Sequence, residues 1–250
     1  MGRLENKVAV VTGASKGIGA AIARHLASEG AAIVVNYSTS KDRADKVVRD
    51  IVSAGGNAIA VGADLAIEDD VAKLFEAARK SFGHVDILVN NAGVYTVAPL
   101  EAVTPELYTR MFNTNVLGLL LATKAALALF PSTGGSIINI GSVVSTLAPP
   151  GASVYAATKG AVDSITKVLA KELGPRNIRV NCVSPGLVAT EGYDAAGFTS
   201  SDFEKQGVAM TPLGRVGKPD DITGPVAFLA SDDAHWITGE IVYASGGAAI

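Results

Sequence analysis

Tyr155 and Lys159 stand four residues apart in Tyr155-Ala156-Ala157-Thr158-Lys159, a stretch whose small residues suit a helix. On a helix, side chains at that spacing share one face, so a phenol and an ammonium reach the same space. A free phenol ionises at about pH 10 and a neighbouring positive charge favours its phenolate, so such a pair suits acid–base proton transfer. An amphipathic tyrosine–lysine pair with a solvated lysine has the same spacing, and the pair alone does not separate the two uses. The second chemical feature is Thr12-Gly13-Ala14-Ser15-Lys16-Gly17-Ile18-Gly19. Its glycines permit a tight turn and bring backbone amides close to a pyrophosphate, and a helix that follows aims its N-terminus at negative charge. An ordinary strand-to-helix turn could use the same glycines, but the strand–turn–helix setting favours nucleotide binding.

Both features need a scaffold that holds turns at the ends of strands. Val- and Ile-rich runs at Lys7 to Thr12, Ala32 to Tyr37, Ala58 to Asp64, Val85 to Asn90, Ser136 to Ile140 and Arg179 to Val183 read as buried strands, with a seventh near Ile241 to Ala244. Helical patterns lie between them. The first is marked by Ile18, Ala21, Ile22, His25 and Leu26 on one face, ending near Gly30. Alternating strands and helices predict right-handed crossovers and an α/β fold: one Rossmann-type, doubly wound domain over residues 1–250, with a seven-stranded, mainly parallel sheet covered on both faces. A helix predicted from Thr104 to Leu129, with Thr104 as N-cap and Pro105 at its first position, is apolar nearly all round through Leu117, Leu119, Leu120, Leu121 and Ala125 to Leu127. One sheet cannot cover all of that surface, so a homo-oligomer is expected. The segment at about 187–218 has no clear periodicity and reads as a substrate-binding loop.

The bulk properties narrow the function classes. The chain has 250 residues, 48% hydrophobic, with a formal net charge of -3, which provides no basic field for nucleic acid and no polybasic anchor. No apolar run approaches the roughly 20 residues of a membrane-spanning helix. Cys182 is the only cysteine, so no intramolecular disulfide can form, and the start of the chain lacks a signal-peptide pattern. A cytoplasmic protein without nucleic-acid or membrane partners is expected. His25, His84 and His235 have no ligand spacing, and no metal is expected.

The glycine spacing of residues 12–19, Asn90-Asn91-Ala92-Gly93 after the fourth strand, and the Tyr155 to Lys159 segment together resemble the short-chain dehydrogenase/reductase family, over essentially the whole chain. Asp64, Asn115, Ser142 and Pro185-Gly186 match the same pattern. The resemblance implies a catalytic set of Asn115, Ser142, Tyr155 and Lys159. Ser142 would bond the substrate oxygen, Tyr155 would give it a proton, Lys159 would tune that phenol together with the oxidised nicotinamide, and Asn115 would hold a helix distortion and a proton relay. It also implies a dinucleotide site made by Gly13, Ser15, Lys16, Gly17, Ile18 and Gly19, Tyr37 and Ser38, Asp64 and Leu65, Asn91, Ala92 and Gly93, Tyr155 and Lys159, and Pro185, Gly186, Val188 and Thr190. Asp64 could instead cap a helix, Asn90 bond nearby backbone, and Pro185-Gly186 merely turn the chain. A homotetramer is implied by the same resemblance. The ending Ala244-Ser245-Gly246-Gly247 departs from the family's aspartate before two glycines.

The expected activity is interconversion of a carbonyl and an alcohol on a small organic substrate, with NADP(H) preferred and NAD(H) as the alternative. An NAD-type site ends its second strand in an acidic residue that repels a 2′-phosphate. Here the strand ends Val34-Val35-Asn36-Tyr37-Ser38, with Lys16 placed to reach that phosphate and Ser38 to donate to it. Two other readings remain. One is a 3-oxoacyl-(acyl carrier protein) reductase, for which the stretch from Leu129 to Gly135 lacks basic residues and Arg176 alone matches a basic docking position. The other is a non-catalytic nucleotide-binding regulatory or scaffold protein, against which the four-residue catalytic set argues.

Overall fold

A computed structural model describes residues 2–195 and 197–248; Ala196, within the expected 187–218 loop, and Met1, Ala249 and Ile250 lie outside them. Seven strands form one sheet: β1 (Val8–Val11), β2 (Ala32–Tyr37), β3 (Ala58–Gly62), β4 (Ile87–Asn90), β5 (Gly135–Ile140), β6 (Ile178–Pro185) and β7 (Ile241–Ala244). Every pairing is parallel, in the order β3-β2-β1-β4-β5-β6-β7. The chain enters at β1, builds outwards to β3, and crosses back to β4. The loops after β1 and β4 therefore diverge to opposite sides and leave a crevice at the strands' carboxyl ends, the position where doubly wound sheets bind ligands.

Strand periodicity divides the core in two. Ala9, Val11, Ile33, Val35, Ile87, Val89 and Ile138 face one layer, where they meet α1 (Gly17–Ser28), α2 (Lys41–Ser53) and α10 (Asp220–Ala230). Val10, Val34, Leu88, Ile137 and Val180 face the other, against α3 (Glu68–Phe82), α5 (Gly118–Ala126) and α7 (Ser153–Leu173). Burial on both faces is why these strands read as continuous apolar runs rather than alternating ones.

The helix expected from Thr104 to Leu129 is three pieces. Thr104 caps α4 (Pro105–Phe112) by accepting the Leu107 N–H at 3.2 Å, a π-helical turn spans Asn113–Leu117, and α5 follows. Leu119, Ala122 and Ala126 face the sheet, whereas Leu117 and Leu120 are left exposed with Tyr108 and Val168. The 187–218 segment is less irregular than its sequence suggests. It carries two short helices, α8 (Glu191–Ala195) and α9 (Asp202–Ala209), too short for a clear period. A four-residue helix, α6 (Val144–Leu147), follows β5. Trp236, five residues before β7, is 93% exposed. Among the described residues no helix is long and apolar enough to cross a membrane.

Candidate active site

The glycine loop is built by close approach. Gly13 and Gly17 have φ of 59° and 55°, a left-handed conformation that favours glycine. A Cβ on Gly13 would lie 2.8 Å from Ala92 Cα, and one on Gly19 would lie 2.4 Å from Asn91 Nδ2. Asn91 Nδ2 donates to the Thr12 and Gly13 carbonyls at 2.8 and 3.1 Å, so Asn91, Ala92 and Gly13 meet as one unit across β1 and β4. Two residues absent from the sequence-derived set hold this unit. Thr12 Oγ1 accepts the Asn91 and Ala92 amides at 2.9 and 3.0 Å, and the buried Asn36 accepts the Gly13 N–H at 3.1 Å while donating to the Tyr37, Val61 and Ala63 carbonyls. A polar residue inside an apolar strand, as Asn36 is, was the available signal.

At the start of α1, Lys16 occupies the N-cap position without a side-chain cap bond, and the first turn has no acidic residue. Such an end presents unpaired N–H groups and a positive dipole. The Gly17 N–H donates instead to Glu191 Oε2 at 3.0 Å, so a carboxylate from a distant segment stands in for an anion. Glycines without room for a Cβ, an uncapped helix end and a carboxylate already drawn to it fit a diphosphate. Ser15 and Ile18 are half-buried in the loop and Lys16 is exposed. Thr190 lies over the same loop, its methyl group 3.3 Å from where a Gly17 Cβ would be.

On the β2–β3 side, the Tyr37 ring packs on Gly62 and Ser38 is exposed. Asp64 Oδ1 accepts the Ala66 N–H at 3.0 Å in a local turn, while the N-cap of α3 is Ile67. Leu65 turns its side chain into the second core, against Gly118, so it offers backbone rather than side chain to the crevice. On the other side, the Pro185 carbonyl accepts the Val143 N–H at 3.0 Å, the Gly186 N–H donates to Ala244 at 3.1 Å, and Val188 is buried. The Asn90 amide donates to Thr123 Oγ1 and Asn139 Oδ1 inside the core, not to the nearby backbone that its sequence position also allows.

The four residues with chemistry converge at the carboxyl end of β4 and β5. Lys159 is 5% exposed and donates to the Ile140 carbonyl at 2.8 Å, with Nζ 5.8 Å from the Tyr155 ring centroid. A Cβ on Gly93 would sit 3.4 Å from Asn115 Oδ1 and 3.8 Å from Lys159 Nζ, which brings the β4 loop, the π turn and α7 to one point. Asn115 accepts the Val94 N–H at 2.8 Å and donates to the Val94 carbonyl at 2.8 Å and Thr158 Oγ1 at 3.1 Å. Its side chain is therefore what stabilises the widened turn. Ser142 Oγ accepts the Val144 N–H at 3.2 Å, and its hydroxyl is near enough to the Tyr155 phenol to act on its ionisation.

Electrostatics differ from the simple tyrosine–lysine picture. Burial pushes the Tyr155 phenol above its ordinary value, and the Ser142 hydroxyl pulls the other way. Burial also lowers Lys159 to about 8, opposed by the nearby Cys182 and Asp163. The ammonium is thus desolvated, and one of its N–H groups is held by the Ile140 carbonyl. Cys182 lies in β6 as expected, its thiol pushed up to about 12 by burial, which leaves it unreactive.

A wall of rings missed in the sequence faces this cluster. Tyr95 lies 5.8 Å from Tyr155 and stacks with Phe198 at 6.5 Å, and Phe198 meets Tyr193 edge-on at 5.4 Å. Tyr95 Oη donates to the Gly192 carbonyl at 2.9 Å, tying the β4 loop to α8. The rings come from segments about 100 residues apart, so no local pattern announces them.

Comparison with known proteins agrees with this architecture. The family model described as Enoyl-(Acyl carrier protein) reductase matches residues 13–249. An uncharacterized oxidoreductase of Methylorubrum extorquens is 60% identical over 247 residues, covering 99% of both chains. Among solved structures, a short-chain dehydrogenase/reductase from Serratia marcescens is 40% identical with a TM-score of 0.94, over 99% of this chain and 100% of that one. The angucycline C-6 ketoreductase LanV, solved with bound NADP, is 39% identical with a TM-score of 0.93, over 99% and 97% of the two chains.

Proposed function

The chain belongs to the short-chain dehydrogenase/reductase family of oxidoreductases, and we propose that it interconverts a carbonyl and an alcohol on a small organic substrate with NADP(H). When bound, the nicotinamide supplies or accepts the hydride. The chain's own residues then handle the oxygen and its proton. Tyr155 Oη gives a proton to the substrate oxygen in reduction and takes it back in oxidation, and Ser142 Oγ donates a hydrogen bond to the same oxygen. The raised phenol suits the donor role. Lys159 keeps two N–H donors beyond its bond to Ile140, which serve the cofactor-facing side and the proton path. Asn115 positions both through Val94 and Thr158, since Thr158 Oγ1 also donates to the Tyr155 carbonyl at 2.8 Å.

The observation that carries this reading is the meeting of Gly93, Asn115 and buried Lys159 beside Tyr155 and Ser142, at the crevice opened by the β1–β4 crossover. Preference for NADP(H) over NAD(H) rests on Tyr37 and Ser38 ending β2 without a carboxylate, on exposed Lys16 in the adjoining loop, and on the NADP bound by LanV. The rings of Tyr95 and Phe198 suit an apolar, ring-bearing substrate body. Leu117, Leu120, Tyr108 and Val168 supply an apolar face for a homo-oligomer. For a carrier-protein substrate the support is weaker, because Arg176 spends its guanidinium on the Leu127 carbonyl at 2.8 Å. The test is an NADPH-consumption screen across keto esters, diketones, sugars, cyclic ketones and 3-oxoacyl thioesters. Turnover of a free carbonyl compound is expected. Nucleotide binding without turnover of any of them would contradict the catalytic reading.

A further inference from the structure

The Gly17 amide is already occupied. Glu191, the first residue of α8, reaches a segment 174 residues away to accept that N–H at 3.0 Å. The partner is the first residue of a twelve-residue helix that has neither a side-chain cap nor an acidic residue in its first turn. Orphan amides and the helix dipole make such an end attractive to any anion. Here the anion is a carboxylate of the chain itself, and the contact is close: a Gly17 Cβ would lie 3.7 Å from Glu191 Oε2.

Two anions cannot share one donor. Resting on the reading of the glycine loop as the dinucleotide's diphosphate site, we propose that Glu191 is an intramolecular competitor of that diphosphate. It holds the Gly17 amide in the free protein, leaves it when the cofactor enters, and thereby sets cofactor affinity and exchange. The contact is solvent-exposed, so it opens readily and slows binding without preventing it. Its release reaches the substrate side as well. Gly192, next in the chain, accepts the Tyr95 hydroxyl at 2.9 Å, and the Tyr193 N–H donates to Thr190 Oγ1 at 3.2 Å. Moving Glu191 off the loop therefore shifts the turn that fixes Tyr95, whose ring lies 5.8 Å from that of Tyr155. The substrate wall takes its final place once the cofactor is seated.

The experiment measures NADPH binding to the full chain by fluorescence titration and stopped-flow mixing, for the parent, Glu191→Gln and Glu191→Ala. A competitor reduces apparent affinity by the fraction of time the site is closed. Both variants should therefore bind NADPH about three- to tenfold more tightly, the range of one modest hydrogen bond, through faster association with dissociation nearly unchanged. The control ligand is 2′-AMP, which lacks a diphosphate and should bind all three proteins equally. NADPH affinity that is unchanged or weaker in the variants, or 2′-AMP that tightens in parallel, overturns the competitor role alone. Failure of all three proteins to bind NADPH overturns the cofactor reading, and this inference with it.

Discussion

Asn115→Ala removes three bonds with one substitution: the acceptor for the Val94 N–H and the donors to the Val94 carbonyl and Thr158 Oγ1. Thr158 keeps a partner, because its hydroxyl still donates to the Tyr155 carbonyl. The two Val94 backbone groups do not. A buried polar group left unpaired costs about 1–3 kcal/mol, and partial burial of Val94 places the pair near the lower half of that range, about 2–4 kcal/mol together. For a chain of this size about 1 kcal/mol shifts the melting temperature by roughly 2–4 °C, so a fall of about 5–15 °C is expected. The widened turn also loses its reason to exist and relaxes towards regular helix, displacing Val94 and Thr158 and, through them, Tyr155 and Lys159. A loss of at least about tenfold in kcat, or about 1.4 kcal/mol of barrier, should follow. Far-UV circular dichroism melts and NADPH-dependent turnover read the two effects. Asn115→Asp, which keeps the acceptor and loses both donors, should melt between the two. A melting temperature within about 1 °C of the parent, with turnover within about twofold, would refute the account of Asn115 as the bracket of the site.

Other outcomes follow from the same geometry. A lysine lowered by burial carries its charge below the shifted value and loses it above, so the reductive reaction should hold at lower pH and fall as pH rises through about 8, whereas oxidation, which needs the Tyr155 phenolate as base, should favour higher pH. Coincident pH profiles in the two directions, with chemistry limiting both, would exclude Tyr155 as the shared group. Lys16→Ala should weaken kcat/KM for NADPH selectively, and Tyr37→Asp should move preference towards NADH by carboxylate–phosphate repulsion, worth about tenfold or more in the ratio; equal losses with both cofactors would sink the NADP assignment. Tyr95→Leu should raise KM for aromatic ketones about three- to tenfold, the worth of one ring–ring contact, and leave aliphatic ketones nearly unaffected. Equal effects on both classes would remove Tyr95 from the substrate wall.

The sheet and its crossovers were readable because strands buried on both faces announce themselves as Val- and Ile-rich runs, with boundaries off by one or two residues: β3 ends at Gly62, before Asp64, and β4 begins at Ile87, after Val85. The glycine loop and the Tyr155–Lys159 pair were readable because both are local, one a turn and the other a helical spacing. What escaped was long-range. Thr12, just past β1, and Asn36, inside β2, tie the loop through partners on other elements, Asn91 and Ala92 for the one and Gly13 for the other. Tyr95, Tyr193 and Phe198 form a wall only after folding, and nothing local in Glu191 points to Gly17. The electrostatics of Lys159 escaped for a related reason. Its burial depends on β5 and the π turn closing over it, so the lysine that spacing presents as a charge donor is itself desolvated.

The central claim is that Tyr155 moves the proton, and Tyr155→Phe tests it most directly, since the ring remains and only the hydroxyl is lost. Turnover with NADPH and a reducible carbonyl substrate should fall by about 10²- to 10⁴-fold, the usual contribution of a positioned general acid, while the fluorescence-measured Kd for NADPH stays nearly unchanged. Turnover within a few-fold of the parent, at that unchanged Kd, would contradict the assignment.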